Sequence, residues 1–259
     1  MHRLRFDSFG VAAEIACDDR ALLGAIEGVL PPGWHRSDRT PQVRFALTRA
    51  GTVTVDGVEF HHPEIGYEEA LPRLASVVRH ELALHAPAHI FIHAGVVAAD
   101  GAAIVLPGSS GSGKTTLVAE LVRAGAGYCS DEFAVVDGHG RLQPYPKPLS
   151  IRGERAVLGA PVPVPAERTV REAVRPALIV FTRYEPRARW DPVELTAAEG
   201  ALALLEHTVA ARSRPGPALA VVARVAREAR VIASPRGGSD AAAAALLEAL
   251  AESVDPSDR

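Results

Sequence analysis

The stretch Gly108-Ser-Ser-Gly-Ser-Gly-Lys-Thr115 fits the pattern G-x-x-x-x-G-K-[ST]. Small residues let the backbone curl so that the N–H groups of Ser110 to Lys114 turn inward on an anion. The start of the following helix adds partial positive charge. Lys114 is placed to reach the outer phosphates of a nucleoside triphosphate, and the Thr115 hydroxyl to hold Mg²⁺. The expected binding set is Gly108, Ser109, Ser110, Gly111, Ser112, Gly113, Lys114, Thr115 and Thr116. An ordinary Gly/Ser turn is the bland alternative. The flanks argue against it, because an apolar run (Ala102 to Leu106) enters the loop and a helix-prone run (Thr116 to Arg123) leaves it.

Phosphate binding alone does not define a reaction. Asp131 and Glu132 follow the loop lysine by seventeen and eighteen residues. At the carboxyl end of a strand they would face the ligand side of an open α/β sheet, where a carboxylate can accept a hydroxyl proton or hold Mg²⁺. His93 lies twenty-one residues before Lys114 in an otherwise apolar strand. A lone histidine there is ordinarily a satisfied core residue. Phe133 to Asp137 has the form of a Walker-B strand, an apolar run ending in an acid, but follows the loop very closely. The later run Ala177 to Phe181 is followed by Thr182 instead of an acid, so a motor or switch NTPase is poorly supported.

The elements that must position these groups are legible in part. Residues 1 to about 65 read as a small α+β module. Strands run from His2 to Phe6 and Val11 to Ala16, a helix spans Asp19 to Leu30, and a hairpin joins Val43–Leu47 to Thr52–Val55. A helix covers Tyr67 to His85, with its regular part starting near Pro72 and Pro87 ending it. His89 to Ala98 reads as a strand, and Asp100-Gly101 is a tight-turn signal that leads into the strand before the loop. Leu142 to Ile151 carries Pro144, Pro146 and Pro148 and should run extended, and residues 153–175 read as an irregular loop. Beyond them come a buried strand at Ala177 to Phe181, a helix opened by the capping box Thr196/Glu199, a helix over Ala218 to Arg227, a strand at Arg230 to Ala233, and a terminal helix from Ser239 to Ser253 with a fraying tail. The organisation expected is an N-terminal module over 1–88 and a second domain over 89–259.

Composition narrows the class further. The chain has 259 residues, 47% of them apolar and 23% charged, as expected of a globular protein with a real core. A net charge of −3 offers no field for nucleic acid or an anionic membrane. The two cysteines, Cys17 and Cys129, lack metal-ligand spacing and suit a reducing compartment. No apolar run is long enough for a membrane span and the N-terminus lacks a secretion signal, so a cytoplasmic location is expected.

The joint spacing of His93, Lys114 and Asp131 resembles the core of HPr kinase/phosphorylase and its relatives, as does the order His93-Ala-Gly-Val-Val, Ile104-Val-Leu-Pro-Gly108, glycine loop, Ala124-Gly125, Ser130-Asp131-Glu132. Leu149-Ser-Ile-Arg-Gly153 is similar to the family's L-E-I-R-G signature. The resemblance covers roughly residues 89–153. It implies an α/β P-loop kinase core of HPr-kinase type, an ATP-dependent (serine) kinase using ATP and Mg²⁺, and a serine-bearing peptide or protein as substrate. It also implies roles: Asp131 as the base for the acceptor hydroxyl, His93 beside it, Lys114 on the phosphates, Thr115, Asp131 and Glu132 toward the metal, and Arg152 as the signature arginine. Glu132 stands where the family has a second aspartate, Thr116 where it has an acid after the loop hydroxyl, and Ser150 where it has the signature glutamate. Two metal-site acids are therefore missing, which implies one Mg²⁺ instead of two. The rest of the chain is closer to the smaller relatives of ribosomal-peptide pathways, including lasso-peptide tailoring kinases, so HPr is not the expected substrate. A small-molecule kinase for a sugar or amino acid, and a non-catalytic nucleotide-binding regulatory module, stand as alternatives. A homo-oligomer fits the family.

Overall fold

A single two-residue turn of positive φ joins the first two strands. In a computed structural model, which describes residues 1–60, 67–109, 111–151 and 160–254, β1 (His2–Ser8) and β2 (Val11–Cys17) form an antiparallel hairpin. Its two turn residues, Phe9 and Gly10, both have positive φ, 51° and 82°, the twist that matches a right-handed hairpin. The helix α1 is only Leu22–Glu27, shorter than the apolar spacing predicts. Gly24 and Gly28 lie in and after it, and it has no side-chain cap, so its ends do not propagate.

β3 (His35–Arg36), β4 (Val43–Leu47), β5 (Val53–Val55) and β6 (Val58–Phe60) complete a mixed sheet of order β3-β1-β2-β4-β5-β6. β2 and β4 run parallel, and β4, β5 and β6 are joined as antiparallel neighbours. α2 (Tyr67–His85) contains Pro72 inside its length. The helix thus starts a turn earlier than the proline suggests. These elements belong to one compact unit, Met1–His89.

The second unit, Ile90–Arg259, is built on a larger mixed sheet. β7 (His89–Ala99) turns at Asp100 and Gly101, with φ of 51° and 75°, into β8 (Ala102–Pro107). α3 (Lys114–Arg123), β9 (Gly127–Ser130), β10 (Phe133–Asp137), β11 (Leu142–Gln143), β12 (Leu149–Ile151), β13 (Ala160–Val162), β14 (Arg175–Tyr184), β15 (Val193–Glu194), α4 (Ala197–Glu206), α5 (Pro215–Glu228), β16 (Arg230–Arg236) and α6 (Ser239–Ser253) follow. The strand order is β11-β10-β7-β8-β14-β16-β15, with β9 also paired to β7 and β12 paired only with β13. Among its described residues the stretch expected to be irregular contains one short strand and a 3₁₀ turn at Ala166–Arg168, and residues 153–159 within it lie outside the described residues.

Inside this sheet β8, β14 and β16 are parallel neighbours, while β7 and β15 run against them. Every residue of β8 is buried, as expected of a strand covered on both faces. Its alternate side chains divide the core. Ala103 and Val105 pack with Ile179 and Val231 under Leu204, Val222 and Val225 of α4 and α5. Ile104 and Leu106 pack with Leu178, Val180 and Ile232 under Leu117, Leu121, Leu246 and Leu250 of α3 and α6. The chain is thus mixed α/β, with two mixed sheets and six α-helices among the described residues. Among those residues no helix is long and apolar enough to cross a membrane.

Candidate active site

The parallel strands β8, β14 and β16 end on one edge, so their carboxyl ends bring together segments far apart in sequence. β8 delivers the glycine loop. Gly111 and Gly113 have φ of 88° and 81°, a region that side-chain-bearing residues rarely enter. Gly113 is also the N-cap of α3, and the Gly108 N–H donates to the His93 carbonyl at 3.1 Å. Lys114 folds back over the loop, with Nζ donating to the carbonyl oxygens of Gly108 and Ser109, both at 2.7 Å. Burial lowers its pKa, and the charges of Asp131 and Glu132 oppose that shift. The Ser112 hydroxyl is buried, with no hydrogen-bond partner among the described residues. Ser110 and Arg152 lie outside the described residues, as does the side chain of Ser150.

Asp131 reaches the loop. β9 ends at Ser130, whose hydroxyl accepts the Glu132 and Phe133 N–H groups at 3.1 and 3.0 Å and so fixes the turn that carries the acids. The Thr115 hydroxyl donates to Asp131 Oδ2 at 3.2 Å. The other oxygen, Oδ1, faces Lys147, whose Nζ stands 2.9 Å away. Tyr128 has one hydroxyl proton and two acceptors in reach, the Lys147 carbonyl at 2.7 Å and Asp131 Oδ1 at 3.2 Å. Burial, then the charge of Asp131, pushes the Tyr128 phenol up, so it remains a donor. Glu132 Oε2 is 3.7 Å from the same Lys147 ammonium.

His93 stands between these parts. Its carbonyl holds the first loop residue, the Ala94 N–H donates to the Glu132 carbonyl at 3.1 Å, and its ring lies against Phe133 with centroids 4.8 Å apart. A second histidine, unnoticed in the sequence, adjoins it. The His207 carbonyl accepts the His93 N–H at 2.8 Å, and the His207 ring stacks on Phe181 at 6.5 Å. Burial lowers the His207 pKa, and the Lys114 charge acts in the same direction.

The two residues at Walker-B-like positions, Asp137 and Thr182, behave differently. Asp137 closes the turn after β10, accepting the N–H groups of His139 and Arg141 and the Gln143 amide. Burial raises its pKa, and these bonds together outweigh the rise and leave it lowered. Asp137 is thus occupied by its own turn. Thr182, which stands where an acid would follow β14, has a buried hydroxyl with no partner among the described residues.

Arg236 was also invisible in the sequence, because the apolar run of the last strand stops at Ala233. β16 in fact continues to Arg236, which is 2% exposed. Its Nη2 donates to the Gly113 carbonyl at 3.1 Å and its Nη1 to Ser239 Oγ at 3.1 Å. The guanidinium also lies over the Tyr184 ring, 5.5 Å from its centroid.

Among the described residues no three His, Cys, Asp or Glu side chains gather as a metal cluster. The oxygens near the loop, those of Thr115, Asp131 and Glu132, nevertheless suit Mg²⁺. This ion takes one or two carboxylates and completes its shell with substrate phosphates and water. No protein-family model matches the chain, and no curated protein matches it.

Proposed function

We propose that the chain is an ATP-dependent phosphotransferase with a P-loop kinase core of HPr-kinase type in its second unit, acting on a serine hydroxyl of a peptide or protein. The observation that carries the reading is the 3.2 Å contact between the Thr115 hydroxyl and Asp131 Oδ2. A carboxylate held beside the hydroxyl of a phosphate loop is where an acceptor proton must go when a phosphoryl group leaves the nucleotide.

The residues divide the work. The loop N–H groups and the start of α3 hold the phosphates, and Lys114 exchanges the carbonyls of Gly108 and Ser109 for phosphate oxygens. Thr115, with Asp131 and Glu132, would hold Mg²⁺, which would supply positive charge to the phosphates. The acceptor oxygen forms its bond to the γ-phosphorus as the bridging bond to the β-phosphate breaks. The acceptor proton passes to Asp131 Oδ2, and ADP departs. Most of the rate comes from position and charge, with little covalent work for the protein.

The test is incubation with Mg²⁺ and ATP labelled in the γ-phosphate, offered serine peptides, free amino acids and sugars, with products read by mass. Gain of one phosphoryl group on a peptide serine is the expected result. Label only on amino acids or sugars moves the acceptor to a small molecule. Nucleotide binding without any transfer makes the chain a regulatory module.

A further inference from the structure

We propose that Lys147 is a working member of this site, its ammonium filling the position between Asp131 and Glu132 that a second metal ion would otherwise take. The inference rests on the phosphotransferase reading and goes beyond it.

Two carboxylates side by side in a poorly hydrated place repel each other and call for a cation. The Asp131 side chain is 2% exposed and that of Glu132 21%, and the Lys147 side chain that reaches both is 14% exposed. Its separations of 2.9 Å from Asp131 Oδ1 and 3.7 Å from Glu132 Oε2 place it within reach of both. An exposed ion pair of this kind would mean little. Here the pair is buried, so charge and position are both fixed.

The backbone holds the ammonium there as firmly as the acids do. Pro146 and Pro148 flank Lys147, which restricts its own backbone to extended conformations and fixes φ on either side. Tyr145, two residues back, is fully buried with its ring against Phe91 and Phe133 at 6.2 and 5.6 Å. The Lys147 carbonyl is held by the Tyr128 hydroxyl. A flexible surface lysine needs none of this anchoring.

The charge balance gives the arrangement its meaning. Lys114 and Lys147 offset Asp131 and Glu132 before any ligand arrives. One Mg²⁺ then arrives with the nucleotide, and the charge of a second metal is already present as a lysine. Oδ1 of Asp131 is committed to that ammonium, while Oδ2 faces the loop beside the Thr115 hydroxyl. Lys147 is in this sense a positioning residue. It holds the catalytic carboxylate by one oxygen.

The test counts metal ions directly. Mn²⁺ serves as the probe, titrated by electron paramagnetic resonance against wild type, Lys147→Met and Lys147→Gln, each saturated with a non-hydrolysable ATP analogue. Wild type is expected to bind one Mn²⁺ per nucleotide-loaded chain. The neutral variants are expected to bind two, the second more weakly, and Lys147→Arg should stay at one. Two Mn²⁺ on wild type, or one on a folded neutral variant, overturns the inference. Should one neutral variant fail to fold, the other and the wild-type count still decide. Failure of wild type to bind the analogue at all overturns instead the nucleotide reading beneath it.

Discussion

The Arg236 guanidinium donates to the carbonyl of Gly113, 123 residues earlier in the chain, at 3.1 Å. That same carbonyl accepts the Leu117 N–H in the first turn of α3 at 3.1 Å. The end of the last strand is therefore tied to the N-cap of α3, the helix that follows the glycine loop. Among the described residues the Arg236 Nε is buried without a hydrogen-bond partner. On the proposed reading, a buried cation beside the glycine loop would be balanced by the phosphates of the nucleotide.

Replacing Arg236 with Met should therefore weaken nucleotide binding more than it weakens the fold. Loss of its hydrogen bonds costs about 1–3 kcal/mol of stability, while removal of a charge beside the loop lowers nucleotide affinity about tenfold or more. Urea unfolding and titration with a fluorescent ATP analogue separate the two effects. Gly113→Ala should copy the loss of affinity, because its Cβ would sit 2.4 Å from Arg236 Nη2 at a φ of 81°.

Asp131→Asn keeps the shape of the side chain and removes its basicity. Transfer should fall by about 10²–10⁴-fold, far more than affinity for the ATP analogue falls. The pair of measurements is single-turnover transfer and equilibrium titration. Full transfer activity in the variant would move the base elsewhere.

What could be read from the chain follows from how local each signal is. Asp100-Gly101 marks the turn between β7 and β8 because only a few residue types accept its positive φ angles. Thr196 and Glu199 announce the start of α4 three residues apart, and both halves of the capping box are present. Arg236 gave no such notice. Ser234 and Pro235 break the apolar run of β16, and the residue's partner is a backbone carbonyl on another element. Lys147 was hidden for a related reason. Its neighbouring prolines signal extended chain, but nothing local shows that the chain passes the acids. β3, β6 and β15 are only two or three residues long, and their pairing partners, not their own pattern, make them strands.

Gly95 offers a test of how tightly the loop helix is seated. It lies in β7, and a Cβ there would come within 2.6 Å of Val118 Cγ2 on α3. Alanine would wedge the helix away from the strand that carries His93. Overpacking of this kind costs about 1–3 kcal/mol. Because α3 begins at the loop, nucleotide affinity should fall with stability. Gly95→Ala combined with Val118→Ala should recover much of both, since the second substitution removes the colliding methyl, and thermal unfolding with and without the ATP analogue reads the outcome.

His207 should make the fold sensitive to mild acid. Burial holds its imidazole below the ordinary value of 6.5, the Lys114 ammonium pushes the same way, and Glu206 opposes them. Protonation therefore costs more in the folded chain than in the unfolded one. With the folded value depressed, the unfolded chain binds more protons between the two values, and stability rises with pH across that window. The contribution of His207 is complete above about 6.5 and is lost as pH falls toward the folded value. Urea midpoints measured from pH 7.5 down to 5.5 should drop for wild type and drop less for His207→Gln, which keeps a polar side chain beside Phe181 but does not titrate. Equal slopes for the two proteins would show that Lys114 and the packing around Phe181 do not disfavour the imidazolium.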